Sequence, residues 1–276
     1  MRWIIGDVHG MLKSLEALLS EISRVDSGAT LYFVGDYVNR GPEARGVVEL
    51  LLTLKNAKFI RGNHDDMLDL VLHGTSYAEN ASRGDRFIAF QWFLEHGLYE
   101  TLLSYGATQD QIFRVVSQRT RDSLDSIIDL FPESHRQFLR TLPVYLEDRD
   151  LFVVHGKWPL RETSTPAAAL AGEVPVPPLR HEILWGRYTD AELTGRVEPA
   201  WPKKGYFGHT PVQTYRGHET DSTPIIFEKL ILLDTAAALI PTGRLTAICA
   251  ESGRVLQTDP NGELAAGAAL TDVPAK

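Results

Sequence analysis

Thr30-Leu31-Tyr32-Phe33-Val34-Gly35-Asp36-Tyr37-Val38-Asn39-Arg40-Gly41-Pro42 sets the reading of the whole chain. Its first five residues are β-branched, aliphatic or aromatic and close on a glycine, the signature of a buried strand. A helical pattern resumes at Glu43, just after Pro42, and proline is at home in a first helical turn. Asp36 therefore sits where a strand ends and a loop leads into a helix. Ligands of open α/β sheets bind at such carboxyl ends. An acidic residue there with an arginine close behind suggests a metal ligand beside an anion-binding group.

The same unit recurs on both sides. Upstream, Arg2 to Ile5 reads as a strand, Gly6-Asp7-Val8-His9-Gly10 as its loop, and Met11 to Val25 as a helix carrying Leu12, Leu15, Leu18, Leu19 and Ile22 at spacings of three and four. Downstream, a helix over Glu43 to Leu54 leads to a strand over Ala57 to Ile60. The loop Arg61-Gly62-Asn63-His64-Asp65-Asp66 and a helix from Met67 to Leu72 follow. This strand–loop–helix rhythm predicts neighbouring strands with right-handed crossovers. Residues 74–142 lack a strand pattern and read as a helical insertion, with helices over Phe87–Leu94, Leu98–Leu103, Leu124–Phe131 and Glu133–Leu142. Its aromatics Phe87, Phe90, Trp92, Phe93 and Tyr99 read as core. Strands return at Val144–Glu147 and Leu151–Val154, the latter ending at His155-Gly156-Lys157. Trp158 to Pro178 reads as a surface loop. Gly205 to Thr210, Ile225–Phe227, Leu230–Leu233, Leu245–Ala250 and Val255–Thr258 complete a strand-rich second half. One domain over 1–258 is expected, with 259–276 as a disordered tail.

Composition narrows the class. The chain has 276 residues, 43% of them hydrophobic, enough for one large core. No apolar run is long enough for a membrane span, and no signal-peptide core precedes the first strand, so a cytoplasmic protein without membrane contact is expected. A single cysteine, Cys249, excludes an intrachain disulfide and thiolate metal clusters. The formal net charge of −8 argues against broad nucleic-acid binding, though it leaves room for a small phosphorylated substrate beside local arginines and metals.

Polar residues gather at the strand ends: Asp7 and His9, Asp36, Asn63 and His64, His155, His209. Each follows an apolar run, in a loop containing glycine. Carboxylates, an amide oxygen and imidazoles without thiolate suit Mn, Fe or Zn.

The ordered set Gly6-Asp7-Val8-His9-Gly10, Gly35-Asp36, Asn39-Arg40-Gly41, Gly62-Asn63-His64-Asp65, His155-Gly156 and Gly208-His209-Thr210 resembles the metallophosphoesterases of the phosphoprotein phosphatase (PPP) family. It is most similar to their bacterial and phage members and to symmetrical diadenosine tetraphosphatases, from about residue 2 to about residue 250. The resemblance implies an α/β (α+β) fold: a calcineurin-like β-sandwich flanked by helices, with two divalent ions, Mn first and Fe or Zn as alternatives, at one edge. By motif, Asp7 and His9 would hold the first ion, Asn63, His155 and His209 the second, and Asp36 would bridge both. A bridging hydroxide would attack phosphorus directly. His64 would be the general acid for the leaving oxygen. Arg40, Arg61 and Arg187, the last in Leu184-Trp185-Gly186-Arg187, match arginines that grip phosphate.

The family usually carries Asp where this chain has Asn39, and that carboxylate favours a charged catalytic histidine. Symmetrical tetraphosphatases also lack it, whereas Trp185-Gly186-Arg187 points to phage-type protein phosphatases. The first functional expectation is a bacterial-type serine/threonine protein phosphatase acting on phosphoproteins or phosphopeptides. The alternative is a hydrolase of diadenosine tetraphosphate or a related small nucleotide. A binding protein that keeps the fold without the chemistry would have lost ligands, and all of them are present.

Overall fold

The computed structural model describes residues 1–78, 85–170, 177–194 and 198–265. The chain opens with β1 (Arg2–Ile5), α1 (Leu12–Val25), β2 (Thr30–Phe33), α2 (Ala44–Thr53), β3 (Ala57–Phe59) and α3 (Asn63–His73). A helical stretch follows: α4 (Arg86–Phe93), a π-turn (Leu94–Leu98), α5 (Tyr99–Ser104), α6 (Gln109–Gln118), α7 (Arg121–Ile128) and α8 (Glu133–Thr141). Next come β4 (Tyr145–Glu147), β5 (Leu151–Val154), α9 (Pro166–Ala169), α10 (Pro177–Trp185), α11 (Asp190–Thr194) and β6 (Lys204–Phe207). The chain then runs through α12 (Val212–Arg216), β7 (Ile225–Ile226), β8 (Leu230–Leu232), β9 (Leu245–Cys249) and β10 (Val255–Thr258).

Among the described residues the strands form two five-stranded sheets, ordered β10-β9-β1-β2-β3 and β4-β5-β6-β8-β7. Each has three parallel strands: β1, β2 and β3 in the first, with the antiparallel pair β9 and β10 along one side and β3 at the other edge, and β5, β6 and β8 in the second, flanked by antiparallel β4 and β7. Strand alternation explains the layering. Ile4, Tyr32 and Val34 of the first sheet meet Leu151, Val153, Tyr206 and Ile231 of the second in a shared core. Trp3, Ile5, Leu31 and Phe33, on the opposite face, pack under α1, α2 and the helical stretch. Phe152, Val154 and Phe207 point outward from the second sheet onto Trp158, Ile183, Leu184 and Trp201. The result is a mixed α/β sandwich with helices on its outer faces.

Several expectations change. Helix α3 begins at Asn63, so Asn63 and His64 lie in its first turn rather than in a loop. Asp65 drives this: its carboxylate accepts from the Gly62 backbone N–H at 2.9 Å and caps the helix start. Helix α6 was not foreseen; Thr108 and Gln111 form a capping box at its start, and only Ile112 and Val115 are buried on it. The stretch read as a surface loop from Trp158 is packed: Trp158, Leu160 and Pro166 are buried, and Glu147 accepts from Thr165 Oγ1 and the Ala167 N–H, both at 2.8 Å. Asp259–Ala265, expected in a disordered tail, fold back on α1. Ser14 Oγ donates to the Asp259 carbonyl at 2.7 Å, and Thr258 bridges to Leu264. Residues 266–276 lie outside the described residues.

Candidate metal centre

All six parallel strands deliver polar residues to one edge of the sandwich. The turns after β1, β2 and β3 carry Asp7 and His9, Asp36, and Asn63 with His64; those after β5, β6 and β8 carry His155, His209 and Asp234. All are buried. The backbone bends sharply to hold them: His9, Asp36, Asn39, Arg40 and His209 adopt left-handed φ of 46°, 56°, 69°, 69° and 67°. Non-glycine residues avoid this region unless the surroundings enforce it, and such strain concentrates at functional sites. Gly62 shows how tight the turn is, because a Cβ there would strike the Asp36 carboxylate and backbone.

Asp36 lies at the centre. Its Oδ1 accepts from the His64 backbone N–H at 2.9 Å, at the positive end of α3, and is 3.4 Å from His155 Nε2. Its Oδ2 is 3.5 Å from His9 Nε2. Two groups of potential ligand atoms, each within 4.8 Å, share it: His9, Asp36 and His64, and Asp7, Asp36 and His155. Asn63 Oδ1 is 2.9 Å from both His155 Nε2 and His209 Nδ1, and the His209 N–H donates to Asp7 Oδ2 at 3.0 Å. The expected ligands Asp7, His9, Asp36, Asn63, His155 and His209 are thus brought to one place.

The chemistry of the donors fits cations. A carbonyl only accepts, so it fixes the tautomer of the ring facing it. His9 Nδ1 faces the Val38 carbonyl at 3.0 Å, His155 Nδ1 the Val34 carbonyl at 2.7 Å, and His209 Nε2 the Trp185 carbonyl at 3.1 Å. The opposite nitrogens of the neutral His9 and His209 rings are left with lone pairs aimed at Asp36 and Asn63 oxygens, and His155 turns Nε2 toward both of those residues. Asp7 Oδ1 is fully buried and has no hydrogen-bond partner. Lone pairs converging on oxygens, beside an orphaned carboxylate oxygen, are what divalent ions satisfy.

The electrostatics agree. Burial, with Arg40 adding to it, lowers His9 to about 4. Burial also holds His64 and His209 well below the usual histidine value, so these rings are neutral near pH 7. Asp7 is pushed up by burial and by the Asp234 carboxylate. Burial disfavours the charge on Asp36 too, but the charged His155 ring beside it, through its charge and its hydrogen bond, holds it ionised. Burial opposes a charged His155, yet Asp36 and Asp7 raise it to about 10. A proton on Nε2 is one way to balance those carboxylates; a divalent cation is the other.

Around the ligands, His64 takes a hydrogen bond at Nδ1 from Asn39 Nδ2 (3.0 Å), and its Nε2 is 3.4 Å from Arg40 Nη2. Arg40 is exposed at this flank. On the other flank Arg187, also exposed, donates to Thr210 Oγ1 at 3.3 Å, next to His209. Arg61 is a correction. It does not join them: its guanidinium is buried and donates to Asp66, Asp69 and the carbonyls of Leu139 and Arg140 at the end of α8, at 2.7–2.9 Å. Two buried carboxylates and two helix-end carbonyls engage that guanidinium in tying α3 to α8. Lys157 pairs with Glu192 at 2.8 Å. Two contributors escaped the sequence reading. Thr101 Oγ1 donates to Asn39 Oδ1 at 3.0 Å. Trp92, read as core, is 43% exposed. Asp234, in a strand-end Asp-Thr pair that matches the resembled family near its active centre but to which the sequence reading gives no role in the chemistry, bears electrostatically on Asp7.

Comparison with known proteins places this geometry. The chain is similar to symmetrical bis(5'-nucleosyl)-tetraphosphatases: 40% identical over 75 residues to that of Pectobacterium carotovorum subsp. carotovorum, and 33% over 105 residues to that of a Marinomonas species. These matches span 27% and 35% of this chain, and only 27% and 38% of those relatives. A metallophosphoesterase from Sphaerobacter thermophilus superposes with a TM-score of 0.50 at 20% identity, covering 96% of this chain and 88% of that one. A serine/threonine phosphatase from Saccharomyces cerevisiae does so with a TM-score of 0.50 at 15% identity, covering 94% and 79%. At such identities the likeness shows the fold alone. The family description "Calcineurin-like phosphoesterase" matches residues 2–191, which hold β1 to β5 and the turns bearing Asp7, His9, Asp36, Asn63, His64 and His155, and the chain belongs to that family of metal-dependent hydrolases.

Proposed function

We propose that the chain hydrolyses phosphate esters or anhydrides with two divalent ions, Mn first among the candidates. Asp7 and His9 would hold one, Asn63, His155 and His209 the other, and Asp36 would serve both. When bound, the ions activate a water and neutralise phosphoryl oxygens for in-line displacement. The observation that carries this reading is the convergence of imidazole lone pairs on Asp36 and Asn63, beside the unpartnered Asp7 Oδ1.

The chain's own residues supply the rest. Arg40 and Arg187 stand on opposite flanks and orient a phosphoryl group between them through their planar donors. His64 Nε2 lies on the Arg40 side, opposite the nitrogen that faces Asn39, and from the charged ring it would hand a proton to a leaving oxygen. The buried ring cluster keeps bulk water from the ligands. For the substrate, Asn39 and the named activity of the relatives support a nucleotide polyphosphate. The Trp185-Gly186-Arg187 element supports the second reading, a serine/threonine protein phosphatase.

Metal analysis with parallel assays tests the proposal. The purified protein should bind two equivalents of Mn and hydrolyse diadenosine tetraphosphate or a phosphoserine peptide. Chelation should abolish this and Mn restore it. Asp36→Asn should lose both metal and activity. A protein that binds no metal and cleaves neither substrate overturns it.

A further inference from the structure

We infer that Trp92 and Trp185 form a stacking platform for the nucleobase of a nucleotide substrate, at the rim of the metal centre. The inference rests on the phosphoesterase reading and names its substrate class. In α4, Phe90 and Phe93 are buried, at 0% and 1%, while Trp92 is 43% exposed. Its ring lies 5.7 Å from Trp185 and 4.4 Å from His96. Both flanks of the metal centre lead to it. Trp185 meets the edge of His209 at 5.9 Å, and Phe93, in contact with Trp92, meets the edge of His64 at 5.0 Å.

The platform is fixed relative to the phosphate-facing arginine. The Arg40 N–H donates to the Gly97 carbonyl at 3.0 Å, and His96 Nδ1 donates to the Trp92 carbonyl at 2.9 Å. Gly97 has φ of 94°, and a Cβ there would strike the Arg40 backbone, so the π-turn and the Arg40 loop touch directly. What sets Trp92 apart from other exposed apolar side chains is its place: an open indole face, joined to Trp185, beside the metal centre, where a planar ring can stack on it. Beside a site for phosphate flanked by Arg40 and Arg187, the fitting occupant is planar, aromatic and joined to phosphate: a nucleoside. Stacking accepts any base, since every base has a π-face. A phosphoserine peptide presents a flexible aliphatic chain at that point and leaves the platform unused.

Two measurements test this. In chelator-treated protein, adenosine 5'-monophosphate should quench tryptophan fluorescence more than inorganic phosphate does, and Trp92→Ala should remove the difference. In the Mn-loaded enzyme, Trp92→Ala should lower the ratio of kcat/KM for diadenosine tetraphosphate to that for an aromatic-free phosphoserine peptide by about tenfold, through KM. Trp92→Phe should keep most of it. Base-dependent quenching without hydrolysis of any ester would keep the platform and overturn the hydrolytic reading. Hydrolysis without base-dependent quenching, or an equal loss on both substrates, would overturn the platform.

Discussion

Asn39 shows how one residue can set the chemistry of another. Its backbone N–H donates to Thr101 Oγ1 at 2.7 Å, and that hydroxyl returns its proton to Asn39 Oδ1. The amide cannot turn, so its NH₂ faces His64 Nδ1. Burial, together with His9 and Arg40, already lowers His64. A carboxylate at position 39 would stabilise the imidazolium and raise its pKa by about one unit or more. The protonated acid would then survive to higher pH. Asn39→Asp should therefore move the alkaline limb of the pH–rate profile upward by about one unit on a phosphoserine peptide, with little change on p-nitrophenyl phosphate, whose leaving group needs no proton. Stopped assays across pH 6–10 would show it, and an unmoved limb on phosphoserine would separate Asn39 from proton transfer.

Between elements, Asp65 is the main stitch. It accepts from the backbone N–H groups of Asp36 (2.8 Å), Tyr37 (3.0 Å) and Gly62 (2.9 Å), joining the end of β2 to the start of α3. Asp65→Asn puts donors where donors already converge. Each buried N–H left unpaired costs about 1–3 kcal/mol, so the variant should lose about 3 kcal/mol in urea unfolding and bind Mn more weakly. A midpoint equal to the wild type would show that the turn holds without it.

The same element explains what the sequence could reveal. β1 and β2 were legible because buried parallel strands are short, largely apolar and soon followed by glycine, and the edge strand β3 because it repeats their strand–loop–helix rhythm; the ligands were legible because they follow such strands. Arg61 was misread because it also follows one. A strand end fixes where the backbone goes, whereas the direction of a long side chain depends on partners such as Asp69 and Leu139, far apart in sequence. Helix α6 was missed because its apolar face is narrow, and Trp92 because an aromatic in a helical pattern looks the same whether or not anything covers it.

For the whole molecule, the candidate ligands come from both sheets: Asp7, His9, Asp36 and Asn63 from the first, His155 and His209 from the second. Metal binding should therefore clamp the sandwich. Mn at about 100 times its Kd should stabilise the fold by about 2.7 kcal/mol, read as a higher melting temperature that chelation reverses. Uptake should also release protons. His155 is raised to about 10 and Asp7 is raised as well, so ions entering at neutral pH displace protons that these groups hold. Affinity should then rise with pH, and calorimetry in two buffers of different ionisation enthalpy should count about one proton or more per site. Equal heats in both would show that these groups enter the complex already deprotonated.

The pairing of Trp3 with Cys249 sets an order on synthesis. Among the described strands β1 leaves the ribosome before the others, whereas one of its two neighbours, β9, follows seven of them. Until β9 emerges the nascent chain carries Asp7 and His9 on a strand with one edge open. The turn that presents the earliest ligands is bordered on both sides only once the C-terminal hairpin has emerged.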